Sequence, residues 1–252
     1  MIKSLIRPWI ASAVGLGALI SAAQAQTGAD TVVQITPYAW ATGVGGDMRP
    51  VAGGPQISVS KSFSSILQDL DTAFFISAFA RHGNLVFLGD FSTSTSSRSG
   101  TVSGPPLPGP VAGSAKLRQS SATALAGYRV NASPSATIDL LAGARHWHVR
   151  GDVGATGIAS ATRSVSFTDP ILAARANLQL APGWSSLLYA DIGGFGVGSR
   201  STAQVLGTVN YELRDNTFLS VGYRHLQVDY RSGGARFDMR MGGPIVGASF
   251  RF

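Results

Sequence analysis

The sequence predicts an all-β fold, a transmembrane antiparallel up-and-down β-barrel of ten strands, with eight or twelve as the alternative counts. Three observations predict it. Apolar and polar residues alternate at a period of two along many segments, with no amphipathic helix of useful length. Connections alternate between long and tight, as in barrels with short inner turns and longer outer loops. The last stretch carries Pro244, Val246, Ala248, Phe250 and Phe252 on one face and Gly243, Ile245, Gly247, Ser249 and Arg251 on the other. In water such a stripe on a terminal strand invites edge-to-edge aggregation; closure in lipid removes the edge and solvates the stripe.

The first 25 of the 252 residues read as a secretory signal. Lys3 and Arg7 form a basic start, Trp9 to Ile20 an apolar run, and Ala23-Gln24-Ala25 a small-x-small cleavage site. The run is short for a spanning helix of about 20 residues. Residues 26–252 then form one domain, the barrel. Loss of Lys3 and Arg7 lowers the formal charge of +7 to about +5, carried mainly by Arg. These Arg residues are spread one or two per strand rather than clustered, which argues against a nucleic-acid partner and for lipopolysaccharide or an anionic solute. With no Cys, an exported chain has neither a disulfide framework nor thiolate chemistry.

The first strand is expected over Thr31 to Thr42, with Gln34, Thr36, Tyr38 and Trp40 sharing a face. A Gly-rich excursion, Gly43 to Leu70, follows and is expected to cap or enter the barrel. It holds a short alternating piece, Gln56 to Lys61, which could disturb the strand count, and one helical turn, Ser64 to Leu70. Strands over Asp71 to Arg81 and Leu85 to Thr95 flank the turn His82-Gly83-Asn84. Ser96 to Ser114 reads as a Ser/Gly/Pro loop that holds no ladder. Lys116 to Val130 and Ala136 to Arg150 flank Asn131 to Ser135, and Gly151 to Ser164 is a second long loop. Val165 to Leu180, Trp184 to Phe195, Ser201 to Arg214 and Thr217 to Arg231 follow, before the closing strand. Assigning tight turns to the periplasm gives an even count with both ends periplasmic.

Several motifs resemble those of a large group of uncharacterised proteobacterial outer-membrane barrels. They are Pro37-Tyr38-Ala39-Trp40 with Gly43, Ser62 to Leu67, Gly127-Tyr128-Arg129, Leu140 to Arg145, Asp169-Pro170-Ile171, Asp191 to Ser199, Gly222-Tyr223-Arg224 with Asp229-Tyr230, and Gly243-Pro244. The resemblance spans nearly all of the mature chain and implies fold and compartment, the cell outer membrane, without a substrate. Ala39 stands where Leu is usual, and Phe79 where a carboxylate is common. The closing Phe250 and Phe252 resemble the signal read by the barrel-assembly machinery, which makes that machinery an expected partner of a monomeric barrel.

Parity sorts the strand faces. Leu219, Val221 and Tyr223 face lipid, so Arg224 faces in, and the same test puts Asp90, Asp139, Arg145, Asp169, Arg175 and Asp191 in the lumen. An Arg on the lipid face at mid-depth would cost about 2–4 kcal/mol, which forces the assignment. Counting residues from the periplasmic turns predicts a mid-lumen layer of Asp90, Arg175, Asp191 and Arg224, Arg145 somewhat higher, Arg129 and Glu212 lower, and Arg175 paired with Asp191. Such a layer either fills the barrel as a polar core or lines a narrow pore for small ions or polar solutes. The expected function is a passive envelope role as narrow pore or structural barrel, without catalytic residues, cofactor or metal.

Other signals point elsewhere more weakly. Gly193 to Gly198 imitates a dinucleotide fingerprint but lacks the following helix. His146 and His148 share a face without a third ligand. A surface enzyme acting on lipid A or peptides would draw on His225, Asp229, Tyr230 and Ser199, yet four residues along a strand separate His225 from Asp229 beyond contact. A loop-mediated adhesin would use Ser96 to Ser114, which carries no aromatic anchor.

Overall fold

The computed structural model describes residues 31–49, 57–61, 70–102, 111–155, 159–232 and 235–252. The signal segment, the turn expected before Leu70 and the proline run of 104–110 lie outside them. Among the described residues twelve strands occur: β1 (Thr31–Trp40), β2 (Gly43–Arg49), β3 (Ile57–Lys61), β4 (Leu70–His82), β5 (Leu85–Val102), β6 (Val111–Ala132), β7 (Ala136–Ala155), β8 (Ala159–Ala181), β9 (Trp184–Gly193), β10 (Ser201–Arg214), β11 (Thr217–Ser232) and β12 (Ala235–Arg251). Ten of them, β1 and β4 to β12, pair antiparallel in sequence order, and β12 closes the ring on β1. The strand count is therefore ten.

Of the Gln56 to Lys61 piece, Ile57–Lys61 is a strand and leaves the count intact. β2 continues β1 past a break at Ala41-Thr42 and pairs with the outer part of β12, from Gly242↔Gly43 to Arg236↔Arg49; β3 then pairs back onto β2. The described parts of the excursion, 43–49 and 57–61, thus raise the wall rather than enter the barrel, and the rest of the segment expected to cap or enter it lies outside the described residues.

A second correction concerns the loops. The β5–β6 ladder runs on through Ser97↔Lys116 to Val102↔Val111, and the β7–β8 ladder through Gly151↔Arg163 to Ala155↔Ala159. These extensions rise more than ten residues from the periplasmic turns, beyond the ~9–11 residues that span a bilayer. There both faces meet water, so the apolar stripe vanishes while the backbone ladder persists. Ser/Gly composition marks the end of the membrane, not of the strand.

Parity holds where lipid meets the wall. Leu172, Leu188, Ile192, Val205, Leu219 and Val221 stand exposed on the outer face. At the periplasmic rim Trp184 packs on Tyr211 with ring centroids 4.8 Å apart, as an interfacial aromatic pair should. The closing strand puts Val246 and Phe250 outward and buries Ile245 and Ser249 inward.

The wall is uneven. β9 ends at Gly193 and β10 begins at Ser201, so β8 above Ile171 has no β9 partner in the register. The link between them turns through positive φ at Gly194 and Gly196 (+85° and +77°). A Cβ on Gly198 would collide with the Thr168 carbonyl, so the link lies tight against β8. The apparent dinucleotide fingerprint is thus a close-packed turn between strands.

Candidate functional site

The lumen holds the chemistry. At mid-depth Arg145 on β7 reaches past β8 to Asp191 on β9. Its Nη2 and Nη1 donate to Oδ2 and Oδ1 at 2.5 and 3.2 Å, its Nε donates to Thr123 Oγ1 at 3.0 Å, and the Tyr189 hydroxyl donates to Asp191 at 2.7 Å. Both charged side chains are essentially solvent-free. Across the lumen, Arg224 donates from Nη1 to the Tyr38 hydroxyl at 2.6 Å, and from Nη2 and Nε to Gln204 Oε1 at 2.7 and 3.1 Å. Its Nη2 also reaches Asp90 Oδ1 at 3.3 Å, and Tyr38 donates to the other Asp90 oxygen at 2.9 Å. Its guanidinium lies 4.7 Å from the Trp40 ring centroid. Buried charge survives in such a place only when paired and hydrogen-bonded, and each of these four is.

The expected Arg175–Asp191 pair does not form. In the register Arg175 stands opposite Asp139 on β7 and opposite Tyr189 on β9, while Asp191 faces Ala173. Arg175 accordingly donates to Asp139 at 3.0 Å, and Arg129 holds the same carboxylate at 2.7 Å. Strand stagger separates residues counted to equal heights from different turns, so one expected layer becomes two tiers. Phe79, where a carboxylate is common in the resembling barrels, lies under the Arg175 guanidinium at 4.1 Å from its ring centroid. A cation–π contact stands in for the missing charge.

Above the charged tiers lies a feature that parity alone did not reveal. Trp40, Trp147, Leu226, Val228, Met241 and Ile245 bury one another inside the barrel, and Tyr38, Val44, Phe75, Phe167, Leu206 and Tyr230 pack against them. Trp147, Phe167, Tyr230 and Phe237 continue as a run of ring contacts with centroids 6.3, 4.4 and 6.0 Å apart. The central contact joins β8 to β11 directly, over the top of the short β9–β10 hairpin. The signal was present in the sequence: Leu226, Val228 and Tyr230 share the parity of Arg224, and an inward apolar run toward the outer end marks a packed tier.

Below the charges is a cavity of about 120 Å³. It reaches from Tyr38, Asp90, Arg145 and Arg224 down to Ser185 and Phe218, each one residue above its periplasmic turn. Arg251 lines its lower end, where the closing strand pairs Phe250 with Ile35 and the Phe252 amide donates to the Val33 carbonyl at 2.8 Å.

The remaining candidates are not drawn together. His146 and His148 lie exposed on the outer wall, each ring nitrogen within hydrogen-bond distance of a cross-strand hydroxyl, Thr168 at 2.9 Å and Ser166 at 2.7 Å. Ser199 is buried and gives its backbone amide and hydroxyl to Asp169 at 2.5 and 2.9 Å. Asp229 is taken by Arg231 at 3.1 Å, with Arg200 at 3.7 Å. His225 belongs to neither group.

No family model matches the sequence, and no curated protein matches it. Solved structures do. The outer membrane protease OmpT of Escherichia coli aligns at a TM-score of 0.55 and 10% identity, covering 91% of this chain and 99% of that one. The translocator domain of the autotransporter NalP from Neisseria meningitidis aligns at 0.49 and 14%, covering 93% of each chain. Neisserial surface protein A aligns at 0.34 and 16%, covering 90% of this chain and all of that one. At these identities the likeness is one of fold. The closed ring, its lipid-facing belt and the fold shared with OmpT place the chain in the bacterial outer membrane.

Proposed function

We propose that the protein is a closed structural barrel of the outer membrane, its lumen blocked across the middle and outer half by its own side chains and not used as a conduit. One observation carries this reading: the Trp40–Trp147 apolar cluster lies across the lumen directly above the fully paired Arg145–Asp191 and Arg224–Asp90 tier. A small ion would have to break buried charge pairs and then cross an apolar tier, each costly to a hydrated charge. Partners on this reading are the surrounding lipid and lipopolysaccharide, and a monomer suffices because closure leaves no edge within the bilayer. The enzyme reading gains no support from the described residues, since Ser199, His225 and Asp229 do not converge.

Planar-bilayer recording of the refolded protein tests it. The expected result is electrical silence at high protein load. Reproducible stepwise currents from the unmodified chain would overturn the closed barrel in favour of the narrow pore.

A further inference from the structure

The lumen is not charge-balanced along its axis. At mid-depth one guanidinium meets one carboxylate, twice over. Toward the periplasm, Arg129 and Arg175 share the single buried carboxylate of Asp139. Arg251 has no carboxylate within ion-pair distance among the described residues. Its Nη2 donates to the neutral Gln34 Oε1 at 3.3 Å, and its guanidinium lies over the Phe218 ring at 4.5 Å. Its buried Nε donates to nothing among the described residues. Arg175 thus sits beside Arg129 on one carboxylate and lines one cavity with Arg251. Glu212, which acts on Arg251, is exposed at the rim, where water screens it.

This excess of positive charge borders a cavity. Arg175 and Arg251 line the ~120 Å³ space together with Asn177, Asn210, Ser185 and Ser220, all able to hydrogen-bond an oxygen. A cavity of about 150 Å³ accommodates benzene, so this one suits a solute of roughly four to six non-hydrogen atoms. Guanidinium groups prefer oxyanions that accept two N–H bonds at once, and Arg251 has Nε available for such a fork.

We propose that the periplasmic half of the lumen is a binding vestibule for a small oxyanion, a free carboxylate or phosphate drawn from the periplasm. Arg251 receives the charged group, Arg175 adds field from above, and the asparagine and serine side chains complete its hydrogen bonding. The site opens on the periplasmic side of the apolar tier, so it functions whether or not the upper lumen is sealed.

Titration of the refolded mature chain in detergent, followed by calorimetry and by NMR shifts of the Asn210 and Asn177 side-chain amides, tests the assignment. Acetate, inorganic phosphate and acetamide are the probes, acetamide being the uncharged match for acetate. Saturable binding of acetate or phosphate, with none of acetamide, is expected, and the tighter anion identifies the ligand class. Arg251→Gln is expected to weaken binding at least tenfold, with Arg251→Lys retaining part of it. Asn210→Asp, which keeps the acceptor used by the Thr208 hydroxyl while adding a negative charge, is expected to do the same without relying on Arg251 for folding. Acetamide binding as well as acetate, the absence of saturation, or unchanged affinity in a folded Asn210→Asp variant would each overturn the site.

Discussion

Arg224 on β11 and Asp90 on β5 meet across the lumen at 3.3 Å, although three strands, β12, β1 and β4, lie between theirs on the shorter way round the ring. The contact ties opposite walls together. Asp90 depends on it more than Arg224 does, because Arg224 is also held by Gln204 and Tyr38, while among the hydrogen bonds of Asp90 only that from Tyr38 would survive loss of the arginine. Removing one partner of a buried pair costs about 3–5 kcal/mol, most of it from the charge left behind. Arg224→Ala is therefore expected to fall in that range, and Asp90→Asn well below it. Urea unfolding in lipid vesicles, read by tryptophan fluorescence, checks the order; a larger loss for Asp90→Asn would contradict it.

The apolar tier makes a separable prediction. Trp147 is buried, stacks on Phe167, and its indole N–H makes no hydrogen bond among the described residues. Trp147→Phe removes no bond and keeps a ring in the stack, so its cost is expected to be small, about 1 kcal/mol, as for other near-volume swaps. Trp147→Ala empties the site and is expected to cost about 3–5 kcal/mol. The same unfolding assay, read by circular dichroism, distinguishes the two.

The fold was legible because lipid forces a rule on every strand within it: Leu219, Val221 and Tyr223 outward compel Arg224 inward. The same rule identified the inward residues but not their partners. Which arginine meets which aspartate depends on stagger, and only the register shows that Asp139, not Asp191, stands beside Arg175. Outside the bilayer the rule lapses, which is why the outer ladders of β5 to β8 read as loops. The apolar tier escapes the rule because parity sets only which way a side chain points, and a barrel this narrow can pack its outer half like a soluble core.

Gly198 gives a test of the low wall. A side chain there would strike the Thr168 carbonyl and crowd Asp169, the carboxylate that receives the Ser199 amide and hydroxyl. Both neighbours are fixed, one of them backbone, so relief requires the turn to move. Gly198→Ala is expected to destabilise by about 1–3 kcal/mol, the usual cost of overpacking. Gly196→Ala is expected to cost through its positive φ, with no neighbour to strike. Proteolytic nicking between β9 and β10 should rise in both variants and be greater for Gly198→Ala.

The outer β7–β8 hairpin should respond to acid. Asp152 lies well beyond the membrane-spanning residues, and its carboxyl is held below the ordinary value, chiefly by the Thr162 hydroxyl and then by Arg150 and Arg118. A lowered value in the folded state means that the stabilisation is present above the unfolded carboxylate range, near pH ~4. It is lost as the pH falls through the lower folded value. Amide exchange in Arg150 to Gly154, corrected for intrinsic rates, is expected to quicken as the pH falls below about 4. Asp152→Asn should already exchange faster at neutral pH and show little further change.

The closing residue makes the last test. Phe252 pairs with Val33 through both backbone groups, N–H to carbonyl at 2.8 and 3.1 Å, so it completes the seam between the last strand and the first. Phe250, two residues earlier on the lipid side, pairs with Ile35 and with Thr217. If Phe250 and Phe252 are read by the barrel-assembly machinery, as the resemblance implies, deletion of Phe252 is expected to impair insertion in cells. The seam alone would lose two hydrogen bonds, net about 1–3 kcal/mol, which lowers the stability of the folded barrel without preventing closure in vitro. The two effects separate in one experiment: the deleted chain should refold in detergent with heat-modifiable migration yet reach the outer membrane in reduced amount. Normal surface amounts in cells would refute the recognition role, and failure to refold in detergent would assign the defect to the seam instead.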